Sequence, residues 1–280
     1  MSTTSVAFAY EGQSVTFESV NSEDHLLRAM RDSGTFYERD VLERIRETVT
    51  RTGRKGDALD VGAFIGTHSL FFARYCGIRR VVSFEANPAT FPVLETNIRA
   101  NGLIGKVMAV NKALGARAGF ASIVDGTIGN SGSSRVEFGA GKGATPVSTI
   151  DLEAARVGVS EISLVKIDVE GAEIDVLAGG ADVIRKQRPI LCVEVHTSKH
   201  LRQVLEMLGD SSYWIVDCLG WSPTYVIEPT SAGWLRRRVV NSIWICRAML
   251  PASWSLSKWY LRRLGQMLSV GWWNLPRAAS

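Results

Sequence analysis

The segment Asp60-Val61-Gly62-Ala63-Phe64-Ile65-Gly66 is followed, 19 positions after its last glycine, by Glu85 at the end of the apolar run Val81-Val82-Ser83-Phe84. These residue types at this spacing suit a nucleoside ligand at the edge of a parallel sheet. Glycine lacks the Cβ that holds other backbones off a ligand, so a strand that breaks into glycines and restarts as a helix can approach one closely. An acid at the tip of the next strand can accept both hydroxyls of a ribose, which favours an adenosine-type ligand over one gripped by its phosphates.

Three nucleotide-binding loops compete for this segment. A phosphate loop needs G-x-x-x-x-G-K-[ST], but here the second glycine comes one position early and Thr67 follows it without a lysine. A dinucleotide loop needs G-x-G-x-x-G, and Ala63-Phe64 occupy the interval of its middle glycine. None of the six tyrosines has a lysine four residues on, as a short-chain nicotinamide enzyme would require. An NAD(P)-dependent oxidoreductase of Rossmann type is therefore the weaker reading. S-adenosylmethionine fits better: Gly62, Ala63 and Gly66 would pack beneath its methionine moiety and Asp60 would serve the ammonium through water or directly. Glu85, with Ala86 and Asn87 behind it, would take the ribose. His68 falls in the first turn of the following helix, near the cofactor, and His200 is expected at the surface.

A second concentration of chemistry lies further along. Val165-Lys166-Ile167-Asp168-Val169-Glu170 alternates apolar with charged residues, and Leu191-Cys192-Val193-Glu194-Val195-His196 repeats the pattern at its end. A strand projects residues of one parity together, so Lys166, Asp168 and Glu170 share a face, as do Glu194 and His196. Such a cluster is either internally paired, with Lys166 neutralising a neighbouring carboxylate, or functional. Methyl transfer is an in-line displacement that needs alignment and a proton acceptor. His196 is the favoured base, since histidine titrates near neutral pH, and Asp168 is the other candidate. Glu194 would orient the imidazole or bind an acceptor hydroxyl, and Lys166 would hold the carboxylates ionised. Asp168, Glu170, Glu194 and His196 could instead gather a magnesium ion, a less favoured reading.

The elements that position these groups alternate β and α: strand 58–62, helix 66–76, strand 80–85, helix 88–101 and strand 107–111. After a long polar interval come strand 162–168, helix 172–186, strand 190–195, helix 198–208, strand 213–218 and a last strand over 239–246. This period predicts an α/β fold, a Rossmann-like doubly wound sheet of seven mostly parallel strands with helices on both faces. Ahead of it, residues 6–10 and 15–20 read as a hairpin and Phe36 to Val49 as a helix ending near Gly53. The glycine- and serine-rich stretch from Gly126 to Gly143 reads as a loop or irregular hairpin, with a lid over the substrate as the functional alternative. The expected organisation is an N-terminal hairpin and helices over 1–56, a cofactor-binding domain over 57–247 and a tail over 248–280.

Several motifs carry a family resemblance: Phe36-Tyr37-Glu38, the Asp60 to Gly66 loop, Phe84-Glu-Ala-Asn-Pro88, Asn97-Ile-Arg-Ala-Asn-Gly102 and Val165-Lys-Ile-Asp-Val-Glu-Gly-Ala-Glu173. Over about residues 30 to 247 the chain resembles the FkbM family of S-adenosylmethionine-dependent methyltransferases. The block from Lys166 to Glu173 is the most specific part. The resemblance implies O-methylation of a hydroxyl on a sugar, glycan or polyketide, and with the basic C-terminal tail a carbohydrate or lipid-linked glycan is the expected acceptor. Tyr37 and Glu38 are assigned as contacts to the methionine end. A non-catalytic scaffold that keeps the sheet is the reading from a different class.

Composition bounds the rest. Of 280 residues 46% are hydrophobic and 21% charged, ordinary for a globular protein, and no apolar run is long enough to span a bilayer. The start, Met1-Ser2-Thr3-Thr4-Ser5, has no secretory pattern, and four scattered cysteines without C-x-x-C suggest buried thiols, so a cytoplasmic location is expected. The net charge of +4 conceals an asymmetry: before Pro229, 24 Lys and Arg face 28 Asp and Glu, whereas from Pro229 onward 8 basic residues face no acid. Six of the eight tryptophans lie in that end too. Leu256, Tyr260, Leu264, Met267 and Leu268 fall at helical spacing, with Lys258, Arg262 and Gln266 on another face. This basic amphipathic tail is read as a peripheral contact with an anionic membrane or as a helix docked on its own domain or a second subunit. Nucleic acid is not expected, because the basic residues are few and the remainder is acidic.

Overall fold

The computed structural model describes residues 4–19, 24–124, 135–139, 144–209, 212–220, 222–231, 234–250 and 255–270. Apolar runs form the centre as expected of strands covered on both faces: β3 (Asp57–Val61), β4 (Val81–Phe84), β10 (Ile162–Ile167) and β11 (Ile190–Glu194) are buried at every residue. With β5 (Val107–Val110), β12 (Tyr213–Leu219) and β13 (Thr224–Pro229) they make a seven-stranded sheet in the order β12-β13-β11-β10-β3-β4-β5. The pairs from β11 through β5 are parallel, while β13 is antiparallel to both β11 and β12, so the sheet is mixed. The order runs outward in opposite directions from the β3/β10 pair. Ligands of open α/β sheets bind beyond the strand ends at such a reversal.

Helices α3 (Thr67–Tyr75) and α4 (Phe91–Ala100) connect β3, β4 and β5. The other half carries α5 (Ile150–Arg156), α6 (Glu173–Ala178), α7 (Ala181–Gln187) and α8 (Ser198–Leu208). Right-handed crossovers on the two sides of the reversal put these groups on opposite faces. Before them, β1 (Thr4–Tyr10) and β2 (Gln13–Ser19) form the expected separate hairpin, followed by α1 (His25–Ser33) and α2 (Arg39–Thr52). The hairpin is stitched to α4 by two asparagines that imitate a neighbouring strand. Asn97 accepts from the Glu18 N–H and donates to the Glu18 carbonyl, and Asn101 does the same with Thr16. Asn97 Nδ2 also donates to the Ile65 carbonyl at 2.9 Å, so the hairpin braces the glycine loop. One cluster of buried apolar side chains runs from Val6 through the sheet to Trp244.

Two sequence expectations are corrected, the strand over 239–246 and the unbroken helix over 172–186, and the polar interval gains strands. Residues 239–246 are not a strand but part of helix α9 (Trp234–Met249), and the seventh strand is β13. The polar interval after β5 holds a second, four-stranded sheet of β6 (Ala113–Leu114), β9 (Thr145–Ser148), β7 (Gly119–Val124) and β8 (Arg135–Phe138) in that order. Of the Gly126–Gly143 stretch only 135–139 lies within the described residues, and it includes β8, paired antiparallel with β7. The helix expected over 172–186 is broken at Gly179-Gly180, where the Gly179 carbonyl accepts from the Asp151 N–H and the Gly115 carbonyl approaches so closely that a Cβ on Gly179 would stand 2.0 Å from its oxygen.

The C-terminal segment does form a helix, α10 (Ser255–Val270), and it lies on its own domain. Its contact is polar. Asp217 of β12, 1% exposed, accepts from Arg262 at 2.7 and 3.1 Å and from Gln266 at 2.6 Å, while Arg44 of α2 approaches to 3.1 Å. Gly265 permits the approach, since a Cβ there would meet the Trp244 ring at 2.7 Å. Cys76, Cys192 and Cys218 are buried, Cys246 is exposed, and all four are free thiols. Among the described residues no helix is long and apolar enough to cross a membrane.

Candidate active site

At the carboxyl ends of β3, β4, β10 and β11 lies a cavity of about 420 Å³, the size of a small-ligand site. The glycine loop after β3 forms its floor. Gly62, at φ 78°, sits where any Cβ would collide with the Asp168 carbonyl oxygen at 1.8 Å, so its first service is to let the ends of β3 and β10 close on each other. Phe64 adopts a left-handed φ of 48°, as do Glu38 at 52° and Glu170 at 53°. Three strained non-glycine residues around one cavity are the kind of local cost that a functional site retains. The Phe64 N–H, turned by that conformation, donates to Glu85 Oε2 at 2.8 Å, and the Asn87 N–H donates to Oε1 at 2.8 Å. Glu85 is thereby fixed at the cavity wall with lone pairs to spare; burial pushes its pKa up and these two bonds oppose the rise.

Lys166 is the electrostatic centre. It stands beside Asp60 in the β3/β10 register, buried, and its Nζ donates to the Gly62 carbonyl at 2.9 Å with Asp168 at 3.2 Å and Asp60 at 3.5 Å. Despite desolvation, which alone would lower its pKa, these carboxylates hold the ammonium above its ordinary range. Asp60 is fully buried and bonded to Ser69 at 2.5 Å. Next to Lys166, Asp168 and Glu194 share a hydrogen bond, and their pKa values move apart: burial and the Asp168 charge push Glu194 up, while Lys166 overcomes burial to hold Asp168 low. At neutral pH one carboxylate and one carboxylic acid therefore face the cavity. Opposite them, burial raises Glu38 to about 7 and, with Lys166 nearby, lowers His68 to about 3, leaving a neutral imidazole 3.8 Å from Glu38. Tyr37, packed edge-on against His25, is also raised by burial.

The charge balance decides which ligand this lining suits. Glu85, Asp168 and Glu170 contribute acidic groups to it, joined by Glu38 above about pH 7, while Glu194 is held as the acid; no arginine contributes among the described residues, and its two lysines are paired, Lys166 as above and Lys112 with Glu153 at 2.6 Å. Such a site favours a cation over a polyphosphate. Comparison with known proteins agrees: residues 60–213 match the model of the methyltransferase FkbM domain. The chain belongs to the FkbM methyltransferase family. It is 29% identical over 178 residues to the hexuronic acid methyltransferase AglP of Haloferax volcanii, covering 62% of this chain and 69% of that one. Among solved structures it is similar to the methyltransferase FkbM of Methylobacillus flagellatus, with 17% identity, 62% of this chain covered and a TM-score of 0.48; the chain spans 43% of that protein's length. Precorrin-6y C5,15-methyltransferase of Geobacter metallireducens is similar at 12% identity, over 72% of this chain and 96% of that one, with a TM-score of 0.44.

Within this FkbM domain the expected site residues divide. Lys166, Asp168, Glu194, Glu85, Gly62, Ala63, His68, Ala86, Asn87, Tyr37 and Glu38 all line the cavity. Three expected residues do not. Asp60 is buried beneath the glycine loop, bonded to Ser69 and 3.5 Å from Lys166, so it does not itself line the cavity. Gly66, at φ 92°, caps α3 and leaves room for Leu94, since a Cβ there would meet Leu94 Cδ1 at 2.7 Å. His196 lies past the end of β11 with its side chain 52% exposed and 3.8 Å from Glu194, outside the lining, so it is not placed as the base. His200, expected at the surface, is half-buried 3.6 Å from Glu173. Among the described residues no group of three or more His, Cys, Asp or Glu is placed to hold a metal ion, and Asp168, Glu170, Glu194 and His196 do not converge on one.

Sequence reasoning missed His25, Lys112, Leu114, Val136 and Ser222 in the lining. Lys112 could have been found, because it follows a parallel strand at the carboxyl edge where such sites form. Val136 belongs to the second sheet and Ser222 to the turn before the unanticipated β13; no local pattern announced them.

Proposed function

We propose that the protein is an S-adenosylmethionine-dependent O-methyltransferase whose acceptor is a hydroxyl group of a sugar or glycan. The observation that carries the cofactor assignment is the carboxyl-rich cavity, with no arginine among its described lining residues and Glu85 anchored by two backbone N–H groups. Both positive charges of S-adenosylmethionine, the ammonium and the sulfonium, suit that lining, whereas the diphosphate of a nicotinamide cofactor would meet it with like charge. Glu85 would hold the ribose hydroxyls, and Glu38 with Tyr37 the ammonium. When bound, the cofactor supplies an electrophilic methyl group. The sugar acceptor is supported by family membership and by the hexuronic acid methyltransferase among its relatives.

The chain's own part is alignment and proton acceptance. Asp168, kept ionised by Lys166, would accept a hydrogen bond from the acceptor hydroxyl and turn its lone pair toward the methyl group. Protonated Glu194, donating to Asp168, would fix that carboxylate in place. The hydroxyl proton becomes strongly acidic only as the new C–O bond forms, so a carboxylate of low pKa suffices as the acceptor. Titration calorimetry with S-adenosylmethionine and with NAD⁺, followed by transfer of radiolabelled methyl groups to glycan extracts, tests the reading. Binding of S-adenosylmethionine alone and alkali-stable label on sugar are expected; preference for NAD⁺ would overturn it.

A further inference from the structure

The outward face of the C-terminal helices differs from an ordinary water-facing surface. Among the side chains of α9 that are described, the exposed ones are Arg238, Val239, Ser242, Cys246 and Met249, one stripe at helical spacing in which Val239, Cys246 and Met249 are apolar. Helices at a protein's surface ordinarily turn charge outward and apolar residues inward. α10 departs from this as well: Arg262 and Gln266 point in, to the buried Asp217, while Leu264 is exposed. The segment from Pro229 onward meanwhile carries 8 basic residues, no acid and six tryptophans.

We infer that the α9–α10 face docks on an anionic lipid bilayer. The Val239–Met249 stripe enters the boundary between headgroups and acyl chains, and basic residues of the segment other than the inward-facing Arg262 meet lipid phosphates. Charge separates this occupant from its competitors. A second copy related by a two-fold axis would set the same acid-free basic segment against itself. A nucleic acid would use the arginines and leave the apolar stripe in water. An anionic membrane alone engages both features. Trp244 belongs to the core, but the remaining five tryptophans still enrich the segment in a residue common at membrane interfaces. Docking of this kind would hold the domain beside acceptors embedded in or linked to the same surface.

Point substitutions are the proper probe, because deleting α10 would uncover Trp244 and strip Asp217 of two partners. The full chain and V239E/M249E are cosedimented with phosphatidylcholine vesicles and with vesicles that also contain phosphatidylglycerol. The parent is expected to bind only the latter, less well at high salt. The variant should lose about fivefold in partitioning for each acidic charge brought to the surface, with unchanged thermal unfolding. Equal binding to both vesicle types, no binding to either, or a variant that binds like the parent would overturn the inference. So would a parent dimer that V239E/M249E converts to a monomer.

Discussion

Two buried carboxylate clusters occupy the same sheet, and they differ in what is left over. At the far edge Asp217 accepts from Arg262, Gln266 and the Cys218 N–H, with Arg44 beside it, so its lone pairs are consumed within the protein. At the β3/β10 reversal Lys166 ties Asp60, Asp168 and the Gly62 carbonyl together, yet Asp168 and Glu194 still face a cavity. Burial and ion pairing are common to both. Unspent hydrogen-bonding capacity at a strand-end cavity is what separates a reaction centre from a structural clasp.

Substitutions can sharpen that contrast. The largest effect belongs to Asp168→Asn, which removes the proton acceptor but leaves Lys166 with Asp60 and Gly62. kcat should fall about 10²- to 10⁴-fold in a methyl-transfer assay, with stability little changed. Asp217→Ala should do the reverse. Leaving the half-buried Arg44 and Arg262 without their buried acid should cost about 1.5–3 kcal/mol in denaturant unfolding, while the folded fraction keeps its affinity for S-adenosylhomocysteine. Equal loss of turnover in both variants would erase the distinction.

A third prediction concerns Glu85. Glu85→Gln replaces a charged acceptor, and a hydrogen bond to a charged group is worth about 1.5–3 kcal/mol, so binding of an adenosyl ligand should weaken roughly 10- to 100-fold.

pH probes Glu38. Its ordinary pKa is near 4.3, and burial raises it to about 7 in the folded protein. Between those values the folded state retains a proton that the unfolded state has lost, so stability is full below about pH 4 and falls as pH rises toward 7. Glu194, also raised, continues the fall to higher pH. Glu38→Gln should flatten the first part of the profile, read from unfolding midpoints. The same substitution should remove the tightening of S-adenosylmethionine binding as pH rises through 7. The smallest effect is expected of His196→Ala: about 0.5 kcal/mol or less in stability and unchanged turnover, since the side chain is half exposed outside the cavity.

Much of the sheet's centre was legible because parallel strands covered on both faces read as apolar runs. The reaction centre was legible for the complementary reason, since Lys166, Asp168 and Glu194 interrupt those runs. What failed was decided by tertiary contact. Val239-Val240 and Ile243-Trp244-Ile245-Cys246 are as rich in β-branched residues as a strand, and only their packing on β12 and α10 makes them helical. The break at Gly179-Gly180 lies against the Gly115 carbonyl, 64 positions away in the chain. The burial of Asp60 was not legible, because a strand-end acid before a glycine loop has the same local pattern whether it faces the ligand or, as here, Ser69 and Lys166. The tail's helix was read correctly, but its inward face could not be assigned without knowing that Asp217 waits beneath it.

The central claim is that the strand-end cavity holds a sulfonium nucleoside with its ribose on Glu85. A crystal structure of the protein with S-adenosylhomocysteine tests it most directly. The account predicts both ribose hydroxyls within hydrogen-bonding distance of the Glu85 carboxylate and the ligand's ammonium beside Glu38. A ligand bound elsewhere, or a ribose turned away from Glu85, would contradict it.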